Sequence, residues 1–177
     1  MTNAGNSLFV AGLLAVLPAI AQSVGQLRVC VDAGNETPAL VLIRAKALTS
    51  RMLAPAWLAL DWHSAETAAC REVLPSDTVS IESADKTPVD QHAGALAYTK
   101  PCQGSQIVVF YDRIERAAKG SAQASTVLAH VMTHEIAHLL QGGARHSETG
   151  VMKARWYQND FDLMVYGPLP FEPGTSS

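Results

Sequence analysis

Near the start of the chain, the order of apolar and polar positions predicts a strand followed by a helix. Apolar and polar side chains alternate along residues 27–33, which predicts a β-strand that ends in a turn at residues 34–36. Thr37 and Pro38 match an N-cap and a first helical position, and they predict a helix to about residue 53, before Pro55. This helix carries apolar residues on one face, at Leu40, Ile43 and Ala47.

Strands dominate the middle of the chain. Residues 57–62, 78–81 and 94–99 are short strand candidates, and residues 106–112 form a stronger one that is rich in Val, Ile and aromatic side chains. A long helix is predicted from about residue 125 to about residue 140, and an irregular tail follows Gly142. The order of strand, helix, four strands and helix indicates one domain of the α/β or α+β class.

Composition excludes some partners. The chain has 177 residues, 48% of them apolar and 16% charged, which is the balance of a globular domain with one sizeable core. The formal net charge of −3 provides no basic surface of the kind that binds phosphate backbones. We therefore expect no nucleic-acid partner.

The first residues have the character of a secretory signal. Residues 1–21 contain no charged side chain, residues 8–21 are almost wholly apolar, and Ala19 and Ala21 suit signal peptidase. We expect cleavage after Ala21, a mature domain over residues 22–177, and a secreted or periplasmic protein with no stable membrane partner. An uncleaved anchor is the alternative, although the apolar run is short for a bilayer span.

The cysteines lack the spacing of a zinc site. Cys30, Cys70 and Cys102 form no CxxC pair, so they are not the expected metal ligands. In an oxidising compartment one disulfide and one free thiol are expected, and three pairings are possible. We favour Cys70 with Cys102, because Cys30 lies within a predicted strand. Three unpaired buried thiols are the alternative.

The long helix carries the motif with the clearest chemistry. His134 and His138 are four residues apart in the sequence HEIAH, which places both imidazoles on one helix face, one turn apart. Both can therefore reach one metal ion. Glu135 projects beside the open coordination position, where it can polarise a water without being a ligand. A histidine and a glutamate on a solvated helix face are the ordinary alternative.

His146 is the predicted third ligand. A continued helix would place His146 about 12 Å farther along the axis than His138, beyond the reach of an ion bound at about 2.1 Å. The helix must therefore end first. Gly142 and Gly143 provide residues that tolerate positive φ and let the chain turn back.

These motifs resemble the metzincin clan of zinc peptidases. In that clan an HExxH helix, a glycine that ends it, a third histidine and a later methionine turn form one site. His146 and Ser147 are similar to the matrixin form of the third ligand, and Met152 is similar to the methionine of the turn. One departure is the gap from the second to the third histidine, which is eight residues here and usually six, so a longer turn is expected.

A narrower resemblance covers residues 27–172. They look like a group of exported, uncharacterised bacterial proteins, common in acidobacteria, with the signature HEIGHLLLG...HSxxGIMRAxW. This chain reads HEIAHLLQGGARHSETGVMKARW from His134 to Trp156. That group usually continues into a further helix after the position where this chain ends.

The metzincin resemblance implies a fold and a set of roles. The implied fold is an α+β domain with a mixed, twisted sheet of about five strands, a backing helix and an active-site helix. Zn²⁺ would be held by the three histidines, with Glu135 as general base and Met152 as a packing residue beneath the metal. The strand that would line the cleft for a peptide or protein substrate contains Gly94, Ala95, Leu96 and Ala97.

Other polar residues are weaker candidates. His130 lies near the same helix face but too far down the axis to join a tetrahedral set, so packing or support of a ligand is expected. His63 and His92 are expected on the solvated surface. Glu148 or Asp160 could replace His146 as the third ligand, because carboxylates also bind zinc. For Tyr157 we expect core packing beside Trp156, with contact to an oxyanion as the alternative.

The favoured function is hydrolysis of peptide bonds by a zinc endopeptidase. Two other functions are consistent with the same residues. One is an exported zinc-binding protein without catalysis, for which we expect a cleft that is blocked to an extended peptide. The other is a zinc amidase that acts on a small or cell-wall amide, for which we expect a deep closed pocket. The sequence predicts no oligomeric state.

Overall fold

A computed structural model describes residues 25–71, 77–100, 105–143 and 145–171 of the chain. The expected signal peptide over residues 1–21 and Cys102 lie outside these described residues. The described residues form an α+β structure with one mixed sheet of five strands, as the sequence predicts.

The sheet has the strand order β2-β1-β3-β5-β4. Strands β1, β2, β3 and β5 are mutually parallel, whereas β4 runs antiparallel to β5 at one edge. The antiparallel edge strand β4 borders the cleft that contains the three predicted histidine ligands. The strand bounds are β1 Gly25–Asp32, β2 Leu58–Ser64, β3 Thr78–Ala84, β4 Ala97–Lys100 and β5 Gln106–Phe110.

In the part of the chain that the structure describes, two long helices and three short ones accompany the sheet, together with a 3₁₀ turn at Ala54–Ala56. Within the described ranges, none of the helices combines the length and the apolar character that a membrane span requires. The helix bounds are α1 Ala39–Leu53, α2 Ala68–Arg71, α3 Tyr111–Ala117, α4 Ser121–Gln141 and α5 Gln158–Met164.

The main core lies between the sheet and the pair of long helices, α1 and α4. Side chains two residues apart on each strand point to the same face of a sheet, so alternate strand positions join one core. The α1 and α4 backbones approach closely, and the Thr49 hydroxyl donates a hydrogen bond of 3.3 Å to the Ala129 carbonyl of α4. The buried core includes Val29, Val31, Val79, Ile81, Ile107 and Val109 from the sheet and Val41, Ala45, Val127, Val131 and Met132 from the helices.

The face that α1 buries differs from the prediction. Leu40 and Ile43 are 55% and 63% exposed, and Ala47 is also exposed. The buried side is instead formed by Val41, Ala45, Thr49, Met52 and Leu53. The first half of α1 is apolar nearly all the way round, so periodicity alone does not select a face. Contact with α4 selects it.

Several predicted boundaries are also wrong. Pro38 is the N-cap of α1, and the Thr37 hydroxyl bonds the Ser83 hydroxyl at 2.7 Å instead of capping the helix. The strand expected over residues 106–112 ends at Phe110, where α3 begins. Helix α4 starts at Ser121, four residues before the predicted start.

The expected irregular tail contains a helix, α5, whose first turn is capped by Asp160. The Asp160 carboxylate accepts a hydrogen bond of 2.7 Å from the Tyr157 backbone N–H. Short polar helices such as this one have too few apolar residues to produce a clear periodic signal.

The disulfide joins Cys30 to Cys70, and the predicted pairing of Cys70 with Cys102 is therefore wrong. Cys30 lies between Val29 and Val31, which face the main core, so its side chain projects from the opposite face of β1. Helix α2 brings Cys70 to that face. A position within a strand thus leaves a cysteine available for bonding when a neighbouring segment covers its face.

We predict that removing this disulfide lowers the free energy of unfolding. The bond links residues 40 apart in sequence. Closing a loop of that length lowers the conformational entropy of the unfolded chain, which stabilises the folded state by up to about 4 kcal/mol. The variant Cys30→Ala/Cys70→Ala should lose about 2–4 kcal/mol in urea unfolding. Cys102→Ser is the matched control. A loss of similar size in that control would contradict the pairing.

Candidate metal centre

Helix α4 provides the first two histidines of the candidate centre. The Nε2 atoms of His134 and His138 are 2.8 Å apart, and the two rings meet edge to face with centroids 4.4 Å apart. This geometry follows from the i, i+4 spacing on a regular helix.

The end of α4 at Gly142 allows His146 to return to the same point. Gly142 has φ 64°, which is the left-handed region that favours glycine. The N–H of Gly142 bonds the Leu139 carbonyl, and the N–H of Gly143 bonds the His138 carbonyl, each at 3.3 Å. This is the Schellman pattern, which ends a helix and reverses the chain.

The three imidazoles converge on one point. The Nε2 of His146 is 3.2 Å from the Nε2 of His138, and one ligand atom from each of the three histidines lies within 4.8 Å of the others. The structure therefore brings together all three predicted ligands. Donors around a tetrahedral ion at about 2.1 Å are about 3.4 Å apart, and the two Nε2 separations that involve His138 are 2.8 and 3.2 Å.

The orientation of His134 is determined by the turn that follows His146. The Nδ1 of His134 lies 2.9 Å from the Val151 carbonyl, an acceptor, so Nδ1 carries the proton and donates it. The Nε2 of His134 then faces the centre with its lone pair. A backbone carbonyl on the far nitrogen is the usual support for a histidine that binds metal.

Hydrogen bonding among the histidines cannot satisfy all three nitrogens. The Nε2 of His134 can only accept a hydrogen bond. The Nε2 of His138 carries at most one hydrogen, so it can donate to only one of the two neighbouring Nε2 atoms. The Nδ1 of His138 is buried without a hydrogen-bond partner among the described residues. A cation at the centre would accept all three Nε2 lone pairs at once, so these residues fit a metal ion.

The electrostatics of the helix favour neutral ligands. Burial lowers the pKa of His134, the hydrogen bond to the Val151 carbonyl opposes that change, and the electrostatic effect of the neighbouring His146 ring lowers the pKa further. Burial also lowers the pKa of His138, with a further contribution from His134. A neutral imidazole is the form that binds metal.

Glu135 lies in the same cleft, and a hydroxyl from the sheet holds its carboxylate. The Thr99 hydroxyl on β4 donates a hydrogen bond of 2.7 Å to Glu135 Oε2. Burial raises the pKa of the Glu135 carboxyl, and the Thr99 hydrogen bond opposes that change. Thr99 was not predicted as a site residue. It is two residues after Ala97, and the period of a strand therefore puts both on the face toward the cleft.

The predicted substrate strand forms one wall of this cleft. The cleft has a volume of about 230 Å³ and is open to solvent. In the described residues, β4 pairs with β5 alone, so its other edge is open. The regular strand covers only Ala97–Lys100, and the residues before it line the cleft without being part of a strand. The first wall consists of Gly94, Ala95, Leu96 and Ala97, and the facing wall of Lys153, Ala154, Trp156 and Phe161.

Met152 is fully buried in the turn after His146. It packs with Met52, Ala137 and Val151 in a small core beside α4. The Ser147 N–H bonds the Met152 carbonyl at 2.9 Å, which ties the chain next to His146 to the turn. Gly150 has φ 75°, and a Cβ there would lie 2.3 Å from the Pro170 carbonyl oxygen, so only glycine fits.

Trp156 is a further residue that the sequence analysis did not assign to the site. Its ring packs edge to face against His134, with centroids 5.6 Å apart, and its Nε1 donates to the Gly150 carbonyl at 3.3 Å. The side chain therefore supports both the first ligand and the turn. Its position at the end of the segment from His134 to Trp156, on which the resemblance was based, is the signal that could have identified it.

The weaker candidates are not members of the described group of three histidines. Asp160 forms an ion pair with Lys153 at 2.8 Å, and Glu148 is exposed, so neither is in the described ligand group. His63 pairs with Asp61 at 2.8 Å. The expected core packing of Tyr157 is wrong, because its side chain is 58% exposed. Its ring instead faces the Lys153 ammonium and the Arg155 guanidinium.

Comparisons with protein-family models and with curated proteins give no significant match for this chain.

His130 is a structural residue, as expected, and it is held neutral. Its side chain is fully buried, its Nδ1 donates to the Thr126 carbonyl at 2.7 Å, and its Nε2 accepts from the Leu169 N–H at 2.9 Å. Burial lowers the pKa of His130 to about 4. A second ring proton would point at the Leu169 N–H, which is also a donor.

We predict that His130 makes the fold sensitive to acid. The His130 ring is protonated near pH 6.5 in the unfolded chain and only near pH 4 in the folded chain. The stabilisation of the folded state that is linked to this pKa difference is therefore fully present above pH 6.5 and is lost as the pH falls toward 4. Its full size is about 3 kcal/mol. Urea unfolding at several pH values should show a weaker decline for His130→Gln than for the native chain. Equal slopes for the two proteins would contradict this prediction.

Proposed function

We propose that this chain is a zinc-dependent endopeptidase that is exported from the cell. The observation that carries the proposal is the convergence of three imidazole nitrogens beside the Glu135 carboxylate, in an open cleft bordered by the edge strand β4. The resemblance to the metzincin clan and the order of its motifs support the same function. The Cys30–Cys70 disulfide is compatible with an oxidising compartment.

Zinc is the metal that this donor set favours. Three neutral imidazoles with an open fourth position are typical of catalytic zinc sites. When bound, zinc would supply a Lewis acid that polarises a carbonyl oxygen and lowers the pKa of a water.

The chain's own residues would supply binding and proton transfer. An extended peptide would add to the open edge of β4, with hydrogen bonds from its backbone to that strand. Glu135 would accept a proton from the attacking water and pass it to the amine that leaves. Burial and the Thr99 hydroxyl would hold the Glu135 carboxylate in place for both transfers.

The open cleft favours an extended substrate over the two other functions. A blocked cleft would support a zinc-binding protein without catalysis, and a closed pocket would support an amidase for small amides. A second recess adjoins the space beside the histidines and shares Gly94 and Leu96 with its lining, which suits a chain longer than a single amide.

Substitution of Glu135 and of His138 should separate catalysis from metal binding. Glu135→Ala should keep about one zinc per chain and lower peptide hydrolysis by at least about 100-fold, because it removes the general base. His138→Ala should lose zinc and activity together, because it removes a ligand. The measurements are zinc content and cleavage of unfolded protein substrates.

Glu148→Ala is the matched control, because Glu148 is an exposed carboxylate outside the cleft lining. It should behave like the native chain. Full activity in Glu135→Ala would show that the proposed mechanism is wrong. A native chain that holds zinc but cleaves nothing across a broad peptide library would favour the binding protein.

Thr99 should affect the reaction through Glu135 alone. Thr99→Val keeps the shape of the side chain but removes the hydrogen bond to the carboxylate, and kcat should fall by about tenfold or more. Zinc content should be unchanged. Thr99→Ser, which keeps the hydroxyl, should restore most of the rate. An equal loss in the valine and serine variants would mean that packing, and not the hydroxyl, matters at this position.

A further inference from the structure

A second recess adjoins the candidate metal centre. It has a volume of about 520 Å³ and shares Gly94, Leu96, Trp156 and Phe161 with the first cleft, so the two spaces are neighbours. Three arginines line it, and no aspartate or glutamate does so among the described residues. The arginines are Arg113, Arg116 and Arg155.

The three guanidinium groups differ in what they contact. Arg116 forms an ion pair with Asp112, so its charge is largely neutralised. Arg113 donates to the carbonyls of His92 and Ala95 at 2.6 and 2.7 Å, and its positive charge remains because both acceptors are neutral. Arg113 therefore holds the loop that contains Gly94 and also makes the recess positive.

Arg155 has no acidic partner within ion-pair distance in the described part of the chain. Its guanidinium lies beside Gly94, since a Cβ added to that glycine would be 3.7 Å from the Arg155 Nη2. The central carbon of the guanidinium is 5.4 Å from the centre of the Tyr157 ring. The guanidinium thus lies beside Gly94, which lines both spaces, and near the face of an aromatic ring. A guanidinium of this kind pairs with a carboxylate through two parallel hydrogen bonds.

The other charged groups nearby do not compete for an anion or neutralise the recess. The Lys153 ammonium, which lines the first cleft, is paired with Asp160 at 2.8 Å. Among the described residues, Glu135 is the one carboxylate that lines either space, and it accepts the Thr99 hydrogen bond. The recess therefore presents two positive charges, from Arg113 and Arg155, that no described acidic group offsets.

We propose that the recess binds a carboxylate of the substrate and that Arg155 is the residue that selects it. The substrate class is an acidic peptide, in which the carboxylate is either an Asp or Glu side chain or the C-terminal group. This inference rests on the proposed peptidase function, because the recess adjoins the cleft that contains Glu135. The acidic group would lie on the side of the metal centre where β4 begins.

The test uses the zinc-loaded chain and blocked octapeptides of mixed sequence. One position at a time is fixed as Glu, Gln or Lys, and a second set carries a free C-terminal carboxylate instead of an amide. Mass spectrometry locates the cleaved bond, and initial rates give relative kcat/KM. Glu at one position should be preferred over Gln by about tenfold, as a charge-assisted hydrogen bond implies.

Variants at Arg155 show whether this residue is the cause. Arg155→Gln should remove the preference, and Arg155→Glu should reverse it so that Lys peptides are cleaved faster than Glu peptides. A gain toward Lys cannot result from a damaged fold. Arg51→Gln is the matched control, since Arg51 is exposed at the end of α1 and lines neither space. It should keep the native preference.

The outcomes also distinguish the source of the carboxylate. Preference for Glu at an internal position identifies a side chain, and preference for the free terminus over the amide identifies the C-terminal group. Either preference supports the proposal if Arg155→Gln abolishes it. Cleavage of all peptides at similar rates, or a preference that survives Arg155→Gln, overturns it while leaving the peptidase function intact.

A binding measurement covers the case in which the native chain cleaves nothing. Fluorescein-labelled Glu and Gln peptides are then titrated with the zinc-loaded chain, and anisotropy gives the two dissociation constants. Tighter binding of the Glu peptides by about tenfold, which is lost in Arg155→Gln, would support the carboxylate site in the recess although the peptidase function fails. Equal binding of the Glu and Gln peptides would reject both the carboxylate site and the peptidase function.

Discussion

The reversal of the chain after α4 is the constraint on which the site depends. His134 and His138 meet because they share a helix, but His146 meets them only because the helix ends at Gly142 and the chain returns. The returning segment then supports the helix in turn, since the Val151 carbonyl accepts the Nδ1 proton of His134. The same returning segment therefore provides both the third ligand and the carbonyl that orients the first ligand.

That turn is itself anchored by the last described residues. The Val151 N–H bonds the Pro170 carbonyl at 2.9 Å, and Gly150 passes so close to the same oxygen that no side chain fits there. One residue away, the Leu169 N–H bonds His130 of α4. The segment around 169–170 thus joins the turn to the buried face of the helix, although it contains no regular structure.

The sheet positions the groups that border the cleft, and helix α4 carries two of the three predicted ligands and the carboxylate. Strand β4 is antiparallel to its neighbour and lies at the edge, so its outer backbone faces the cleft and its Thr99 side chain reaches Glu135. Helix α1 keeps α4 in place from the other side through close contacts such as Thr49 with Ala129. A carboxylate that is buried and bonded in this way has little freedom to change its direction, which is a requirement for proton transfer at a defined atom.

The sequence by itself determined the parts that depend on local geometry. The i, i+4 histidines, the two glycines that end the helix and the number of strands follow from spacing, backbone freedom and period, and the structure has all three. Only the tertiary structure decided which side of α1 is buried, which cysteine pairs with Cys70, and that Thr99 and Trp156 contact the site. These features join residues that are far apart in the chain, and their formation depends on how the elements pack, which no local pattern records.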